Sequence, residues 1–292
     1  MSKKICLEAH SVKDLLKETL LEAIRNITQY LEDFLRTKEA ESLHQYRVNI
    51  RMARSICKEF STFMEKNRKK VLDDRLKVLQ QETNEMRDID VFIECIETYK
   101  TKVDEACASE FKRIEKALLH EKKVAYAQFC EKYAENQEDV TAMVALLHDE
   151  KLCLPKSEGK LFVHVQKILE KRFKKIAKIS QKIDLDSPNE QFHKLRLHYK
   201  KLRYTCDALQ LKAFAKSFKP IQTAFGHVQD KNTQIARIRE HNTNKSAFLE
   251  QIIALLEQEL LEDKRECIKK SDKKSIEKLH EKLHYIITCK KS

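Results

Sequence analysis

The chain has 292 residues, of which only two are glycine and three are proline. Turns between strands draw heavily on Gly, Pro and Asn, so this composition excludes all but a few hairpins. Lys, Glu, Leu and Ala, which favour helices, are abundant instead, and we predict an all-α fold. The formal net charge of +12 favours acidic partners such as nucleic acids, polyphosphates or anionic membrane surfaces.

The cysteines and the apolar segments indicate the compartment. There are nine cysteines, an odd number, and none of them forms a C-x-x-C pair. This pattern is typical of free thiols in a reducing cytosol rather than of a disulfide framework. The first twenty residues contain no apolar segment of the length that a signal peptide needs. No run of 18 apolar residues occurs either, so we expect a cytoplasmic protein without a membrane span.

Apolar residues recur at three- and four-residue steps and predict helices along nearly the whole chain. The first helix is predicted over 9–36, where Val12, Leu16, Leu20 and Ile24 share one stripe. The same pattern predicts further helices near residues 39–66, 69–85, 88–101, 104–134, 138–149, 160–183, 188–210, 212–225, 230–241, 245–266 and 272–289.

The segment 152–159 interrupts this helical pattern, because it contains Pro155 and Gly159. We therefore predict two helical halves, residues 1–151 and 156–292. A strong helix start follows in the second half, with Ser187 as the N-cap, Pro188 at the first helical position and Glu190 completing a capping box.

Two separate blocks of sequence recur in the same order. SLHQYRVNIRMARSICKEF (42–60) aligns with QFHKLRLHYKKLRYTCDAL (191–209), and its histidine, its basic residues and its apolar positions all match. LKVLQQETNEMRDIDVFIECI (76–96) resembles FKPIQTAFGHVQDKNTQIARI (218–238). Two ordered matches indicate an internal duplication rather than coincidence. We expect the two halves to form antiparallel helical bundles related by pseudo-symmetry.

The first block carries a basic ridge. His44, Arg47, Arg51 and Arg54 are spaced three, four and three residues apart and fall within about 80° of arc on a helix. The second block repeats the ridge with His193, Arg196, Lys200 and Arg203. A pair of lysines seven residues apart follows the ridge in each half. The pair is Lys70 and Lys77 in the first half and Lys212 and Lys219 in the second, where Lys216 lies on the same face.

Such a ridge is costly, because like charges three or four residues apart destabilise a helix. A solvated charged face is the usual explanation for a run of charges. Here the ridge contains no acid, adjoins the apolar face and occurs twice, which favours a binding function. Arginine forks and lysine point charges suit the oxygens of a phosphate chain, and histidine adds further donors.

These residues resemble the conserved-histidine α-helical domain (CHAD) family. The segment H-x-x-R-V-x-x-R-x-x-R (44–54) looks like the first signature of that family, H-K-L-R-x-x-x-K-K-L-R-Y (193–204) like the second, and R-D-I-D (87–90) like a further element. The resemblance extends from about residue 8 to 289. It implies two four-helix bundles with a basic channel between them that binds inorganic polyphosphate. It also implies cytosolic residence, often on polyphosphate granules.

The polyphosphate-binding residues expected from the spacing and the resemblance form two sets. They are His44, Arg47, Arg51, Arg54, Lys70 and Lys77 in the first half, and His193, Arg196, Lys200, Lys201, Arg203, Lys212, Lys216 and Lys219 in the second. The sequence also departs from the family pattern, since Met52 replaces an arginine, Lys58 aligns with Asp207, and Asn232 replaces an aspartate. These departures predict an asymmetric channel.

Three other features of the sequence point to different functions. A nucleic-acid-binding protein could use the same basic faces, but tryptophan is absent and aromatic residues are 7% of the chain, which argues against base stacking. His280 and His284 spell the H-E-x-x-H motif of zinc proteases, without a third ligand after it. Asp88 and Asp90 could be a catalytic pair, but a helix cap is favoured. We expect no enzyme activity, no metal and no cofactor. The same charges also suit other polyanions, and the sequence identifies no protein partner.

Overall fold

The computed structural model describes residues 11–104, 108–135, 138–158, 161–209, 211–242 and 245–289. These residues form twelve α-helices and no β-strand, which confirms the prediction of an all-α fold. The helices before residue 150 are α1 (Val12–Thr37), α2 (Ala40–Glu59), α3 (Lys66–Gln81), α4 (Asn84–Tyr99), α5 (Ala108–Glu135) and α6 (Glu138–His148). Those that follow are α7 (Leu161–Ser180), α8 (Asn189–Ala208), α9 (Lys212–Ser217), α10 (Lys219–His241), α11 (Ala247–Lys270) and α12 (Lys273–Cys289).

The start of α1 shows how local sequence fixes a helix end. The Asp14 backbone N–H donates to Ser11 Oγ at 3.1 Å, and the Ser11 backbone N–H donates to the Asp14 carboxylate at 3.1 Å. This capping box satisfies donors that the first turn leaves unpaired. The helix ends where Lys38 adopts a left-handed conformation with φ of 58°. The predicted start at residue 9 lies outside the described residues.

The predicted helix 39–66 is shorter in the structure. Helix α2 ends at Glu59 and is followed by a 3₁₀ turn, Ser61–Phe63. Helix α3 then starts anew, because the Glu65 carboxylate accepts from the backbone N–H groups of Asn67 at 3.0 Å and Arg68 at 2.8 Å. A local cap therefore divides an apolar pattern that reads as continuous in the sequence.

The predicted break between the halves contains two 3₁₀ turns, Glu150–Leu152 and Pro155–Glu158. An isolated antiparallel bridge between Met64 and Cys153 ties this connection to the segment between α2 and α3. Gly159 lies outside the described residues. The exact division at 1–151 and 156–292 stays a prediction.

The predicted capping box at the start of α8 is wrong. Pro188 is the N-cap, and no side chain caps this helix. The Ser187 hydroxyl donates instead to the Asp184 carboxylate at 2.7 Å and accepts from the Asp184 backbone N–H at 3.0 Å. Ser187 thus closes the preceding turn, which satisfies its hydroxyl before the helix begins.

The predicted helices 212–225 and 230–241 also have different bounds in the structure. The break falls at Phe218, and α10 runs without interruption from Lys219 to His241. Pro220 is tolerated because it lies in the first turn, where its missing N–H costs nothing. Gly226 lies inside this helix. A single glycine weakens a helix but does not end it. The second repeat block therefore spans α3 and α4 in one half but lies within α10 in the other.

Equivalent helices of the two halves meet each other. Helix α1 contacts α7, α2 contacts α8, and α4 contacts α10. Apolar positions that match between the repeats are all buried, including Tyr46 with Leu195, Ile50 with Tyr199 and Cys57 with Cys206. Both basic helices therefore bury the same face and meet with their ridges close together. No helix among those described is long and apolar enough to cross a membrane.

Candidate functional site

A cleft of about 830 Å³ opens where α2, α4, α8 and α10 come together. Five of the predicted binding residues line it, three from α2 and two from α8, and these are His44, Arg47, Arg51, Arg196 and Lys200. Helices α4 and α10 supply most of the remaining lining, together with Gln80 at the end of α3. The two ridges predicted from the repeat thus contribute to one cavity.

Positive charge in this cleft is poorly neutralised. Glu94 and Asp230 are the acidic residues among its described lining. The side chains of Arg51, Arg87 and Lys200 form no ion pair or hydrogen bond with any described residue. The Nε atom of Arg51 is also buried without a partner. A buried donor left unpaired is costly, so an anion that accepts a hydrogen bond from it would stabilise this cleft.

Arg47 is held by neutral groups at the α3–α4 junction. Its guanidinium donates to the Gln80 carbonyl at 2.9 Å, to Thr83 Oγ1 at 2.7 Å and to Asn84 Oδ1 at 2.9 Å. These bonds fix the turn that brings α4 to the cleft. Because none of the three acceptors is charged, Arg47 still contributes a full positive charge to the cavity.

The second half holds its cations more loosely. Arg196 lies 3.6 Å from the Asp230 carboxylate, beyond the distance of a good hydrogen bond, and its Nε is buried without a partner. His193 contacts the Gln229 side chain through Nδ1. Gln229 lines the adjoining cavity of about 460 Å³, together with Arg47 and Arg196. His193 therefore reaches the cleft region through its neighbour on α10.

Burial and mutual repulsion depress the basicity of these groups. Burial, Arg196 and Arg51 lower the pKa of Lys200 to about 8. Burial and Arg51 lower the pKa of Arg47 to about 10, and burial also lowers that of Arg196. The pKa of His44 is lowered by burial and by Arg87, so its imidazole is neutral at pH 7. An anion in the cleft would relieve all of these penalties.

Arg54 and Arg203, the last members of the two ridges, have partners within their own halves. Arg54 Nε donates to Asp73 at 2.9 Å, and another of its N–H groups donates to Gln80 at 3.0 Å. Arg203 donates to Gln222 at 3.2 Å and lies 3.6 Å from Asp207. Neither arginine lines the cleft.

The lysines predicted from the seven-residue spacing lie elsewhere. Lys70 and Lys77 on α3 are exposed, as are Lys216 and Lys219, and none of the four lines the cleft. Lys201 points toward α7, where burial and the Arg172 charge lower its pKa. The side chain of Lys212 lies outside the described residues. Their role in binding stays a prediction.

The sequence model of the CHAD domain matches residues 18–239. The chain belongs to the CHAD family. Its fold is similar to that of PptA from Streptomyces chartreusis, at 12% identity and a TM-score of 0.72, over 90% of this chain and 99% of that one. It is also similar to the CHAD domain from the plant Ricinus communis, at 17% identity and a TM-score of 0.67, over 91% of this chain and 94% of that one. No curated protein matches the chain by sequence.

Several residues that line the CHAD cleft were missed by the sequence interpretation. Arg87 belongs to the R-D-I-D element and lines the cavity, but it is not among the predicted binding residues. His227 and Lys231 on α10 also line the cleft and are four residues apart. Their spacing was a usable signal, but the helix break assigned near Gly226 separated them. Lys231 is tied to Asp263 at 2.5 Å and to Glu259 at 3.3 Å.

The candidate catalytic and metal-binding residues Asp88, Asp90 and His280 have structural roles in this CHAD domain. Asp88 lies inside α4 and pairs with Arg237 at 3.8 Å, so the predicted helix cap is wrong. Asp90 is buried and accepts from Lys122 at 2.5 Å. The His280 ring packs 5.2 Å from that of Phe173. Among the described residues, no group of three or more candidate ligands could hold a metal ion.

Proposed function

We propose that this CHAD domain binds linear inorganic polyphosphate in the cleft between its halves and does not transform it. The observation that carries the proposal is the convergence of α2 and α8 cations on one cavity where Arg51 and Lys200 have no acidic partner. Association with polyphosphate granules in the cytoplasm would follow from such binding.

A phosphate chain matches the chemistry of the cleft. Each unit of the chain brings about one negative charge and several strong acceptor oxygens, and it carries no large apolar surface. Arginine offers a planar fork to these oxygens, and lysine adds a compact charge. The half-buried position of Arg51 and Lys200 makes each contact stronger than it would be in open water.

A narrow, flexible chain fits the cleft better than a duplex does. The cations are recessed among four helices, so a ligand must enter the cavity to reach them. Double-stranded DNA presents its phosphates on the outside of a wide, stiff rod and cannot enter it. This difference favours polyphosphate over the nucleic-acid alternative.

The nucleophiles near the cleft favour binding without catalysis. Cys95 lines the cavity, but burial and Glu259 raise the pKa of its thiol to about 12, which keeps it protonated and unreactive. The charged neighbours of His44 are three arginines and Glu41, and no described hydroxyl or thiol that it could activate is hydrogen-bonded to it. We therefore assign both histidines to hydrogen bonding with the ligand.

A double substitution tests the proposal directly. Arg51→Gln/Lys200→Gln should weaken the affinity for long-chain polyphosphate by about 100-fold or more, because two charge-assisted bonds are lost. The matched control is Lys112→Gln/Lys116→Gln, which removes the same charge from exposed positions on α5 that are not among the predicted binding residues. Fluorescence titration at one fixed salt concentration measures both, and circular dichroism checks that the helices persist.

Two results would contradict the proposal. An equal loss of affinity in both variants would mean that net charge, and not the cleft, sets binding. The wild-type chain should also bind polyphosphate more tightly than double-stranded DNA at matched charge. Equal affinity for the two would mean that the cleft is not specific for polyphosphate. Binding should also weaken steeply with salt, because bound phosphates release counterions.

A further inference from the structure

A second basic cavity of about 370 Å³ lies between the end of α2, the Ser61–Phe63 turn and α7. It shares no lining residue with the central cleft. None of the predicted binding residues lines it. It is therefore a separate feature, which the proposed function does not use.

Four lysines surround this second cavity. Lys167, Lys171 and Lys175 lie four residues apart along α7, so they form a row about 12 Å long. Lys58 approaches from the end of α2. None of these lysines forms an ion pair with a described residue. Their charge is therefore available to a ligand.

The one acid of this cavity is already used. Glu59 pairs with Arg172, and both side chains are largely buried, at 8% and 13% exposure. Arg172 also contacts His198 Nδ1 at 2.8 Å. Burial and the Arg172 charge lower the pKa of His198 to about 4, so the ring is neutral and accepts from the guanidinium. This network fixes α7 against α2 and α8 and leaves the lysines without a counter-charge.

The duplication does not account for this cavity. When the register that aligns His44 with His193 is carried to the preceding helices, the buried positions of α1 and α7 coincide, as with Leu16 and Val165. In that register, the two residues of α1 that match Lys167 and Lys171 are Glu18 and Glu22. Lys58 likewise matches Asp207 in the second half. The charge is therefore reversed in the other half, so the basic cavity exists on one side only.

We propose that this cavity is a second, one-sided anion site that takes a short linear phosphate chain. Its volume lies at the lower end of the range for ligand sites, which suits a few phosphate units rather than a folded polymer. Exposed lysines provide charge without the fork of arginine, so the site is weaker than the central cleft and more sensitive to salt. The occupant is either a free oligophosphate or the end of a longer chain.

Titration calorimetry with inorganic tripolyphosphate at low salt tests this site. The variant Lys167→Glu/Lys171→Glu gives α7 the charges of α1. The control Lys112→Glu/Lys116→Glu makes the same change, at the same spacing, on exposed positions of α5. We expect two sites in the wild-type chain and in the control, and only the tighter site in the α7 variant.

The cleft variant Arg51→Gln/Lys200→Gln should show the converse and keep only the weaker site. A wild-type stoichiometry of one, or an α7 variant that binds within twofold of wild type at both sites, would overturn the proposal. If the cleft variant alone binds normally, the proposed function fails while the second site stands. Adding long-chain polyphosphate to the cleft variant separates the two occupants, because chain ends displace tripolyphosphate only if they enter the site.

Discussion

Replacing Lys200 with methionine should make the ligand-free protein more stable and its binding weaker. Burial and neighbouring cations lower the pKa of Lys200 from its usual 10.5 to about 8. One pKa unit corresponds to about 1.4 kcal/mol, so holding this lysine charged costs the fold about 3 kcal/mol. Because the side chain keeps some contact with water, we expect Lys200→Met to stabilise the fold by about 1–3 kcal/mol at pH 7.

The stability advantage of Lys200→Met should depend on pH, because the folded and unfolded chains release the Lys200 proton at different pH values. Below pH 8 the lysine is protonated in both the folded and the unfolded chain, and the penalty is fully present. Between pH 8 and 10.5 the unfolded chain binds more protons than the folded one, so the stability of the wild-type protein rises with pH. The advantage of Lys200→Met should therefore shrink through this window and be nearly gone at its upper end.

Urea unfolding at pH 7 and pH 9.5 measures the difference. Lys194→Met, an exposed lysine on the same helix, is the control and should change stability by less than about 0.5 kcal/mol at either pH. Polyphosphate should bind Lys200→Met at least about tenfold more weakly, since one charged contact is lost. A destabilised Lys200→Met protein, or an advantage that does not change with pH, would refute the reasoning.

Two further predictions concern the stability of the helices around the two cavities. Glu59→Gln leaves the Arg172 charge buried and unpaired and should cost about 3 kcal/mol in urea unfolding, whereas Glu257→Gln, which breaks the exposed pair with Arg239, should cost under about 1 kcal/mol. An equal loss of stability in the two variants would contradict the burial of the Glu59–Arg172 pair. Gly226→Ala should stabilise the protein by about 0.5–1 kcal/mol, because α10 is continuous there and an added Cβ meets nothing closer than 4.0 Å. A lower thermal midpoint would argue against an unbroken helix.

Helix ends were harder to predict than helix faces. The apolar stripe on α2 located the buried positions, but it could not show that the Glu65 side chain starts a new helix. The Ser187 capping box failed because Asp184 competes for the same hydroxyl. Such ends depend on single hydrogen bonds between near neighbours, and several local arrangements of similar energy satisfy them.

The sequence by itself determined the helical class, the duplication and the face on which each basic ridge lies, because helical periodicity and residue composition are local properties. Only the tertiary structure decided which cations act together. Arg54 belongs to the same ridge as Arg51, yet Asp73 of α3 pairs with it, while Arg51 meets Lys200 across the junction of the halves. Spacing along a helix fixes a direction in space, but the charge that a side chain meets there depends on the helix packed against it.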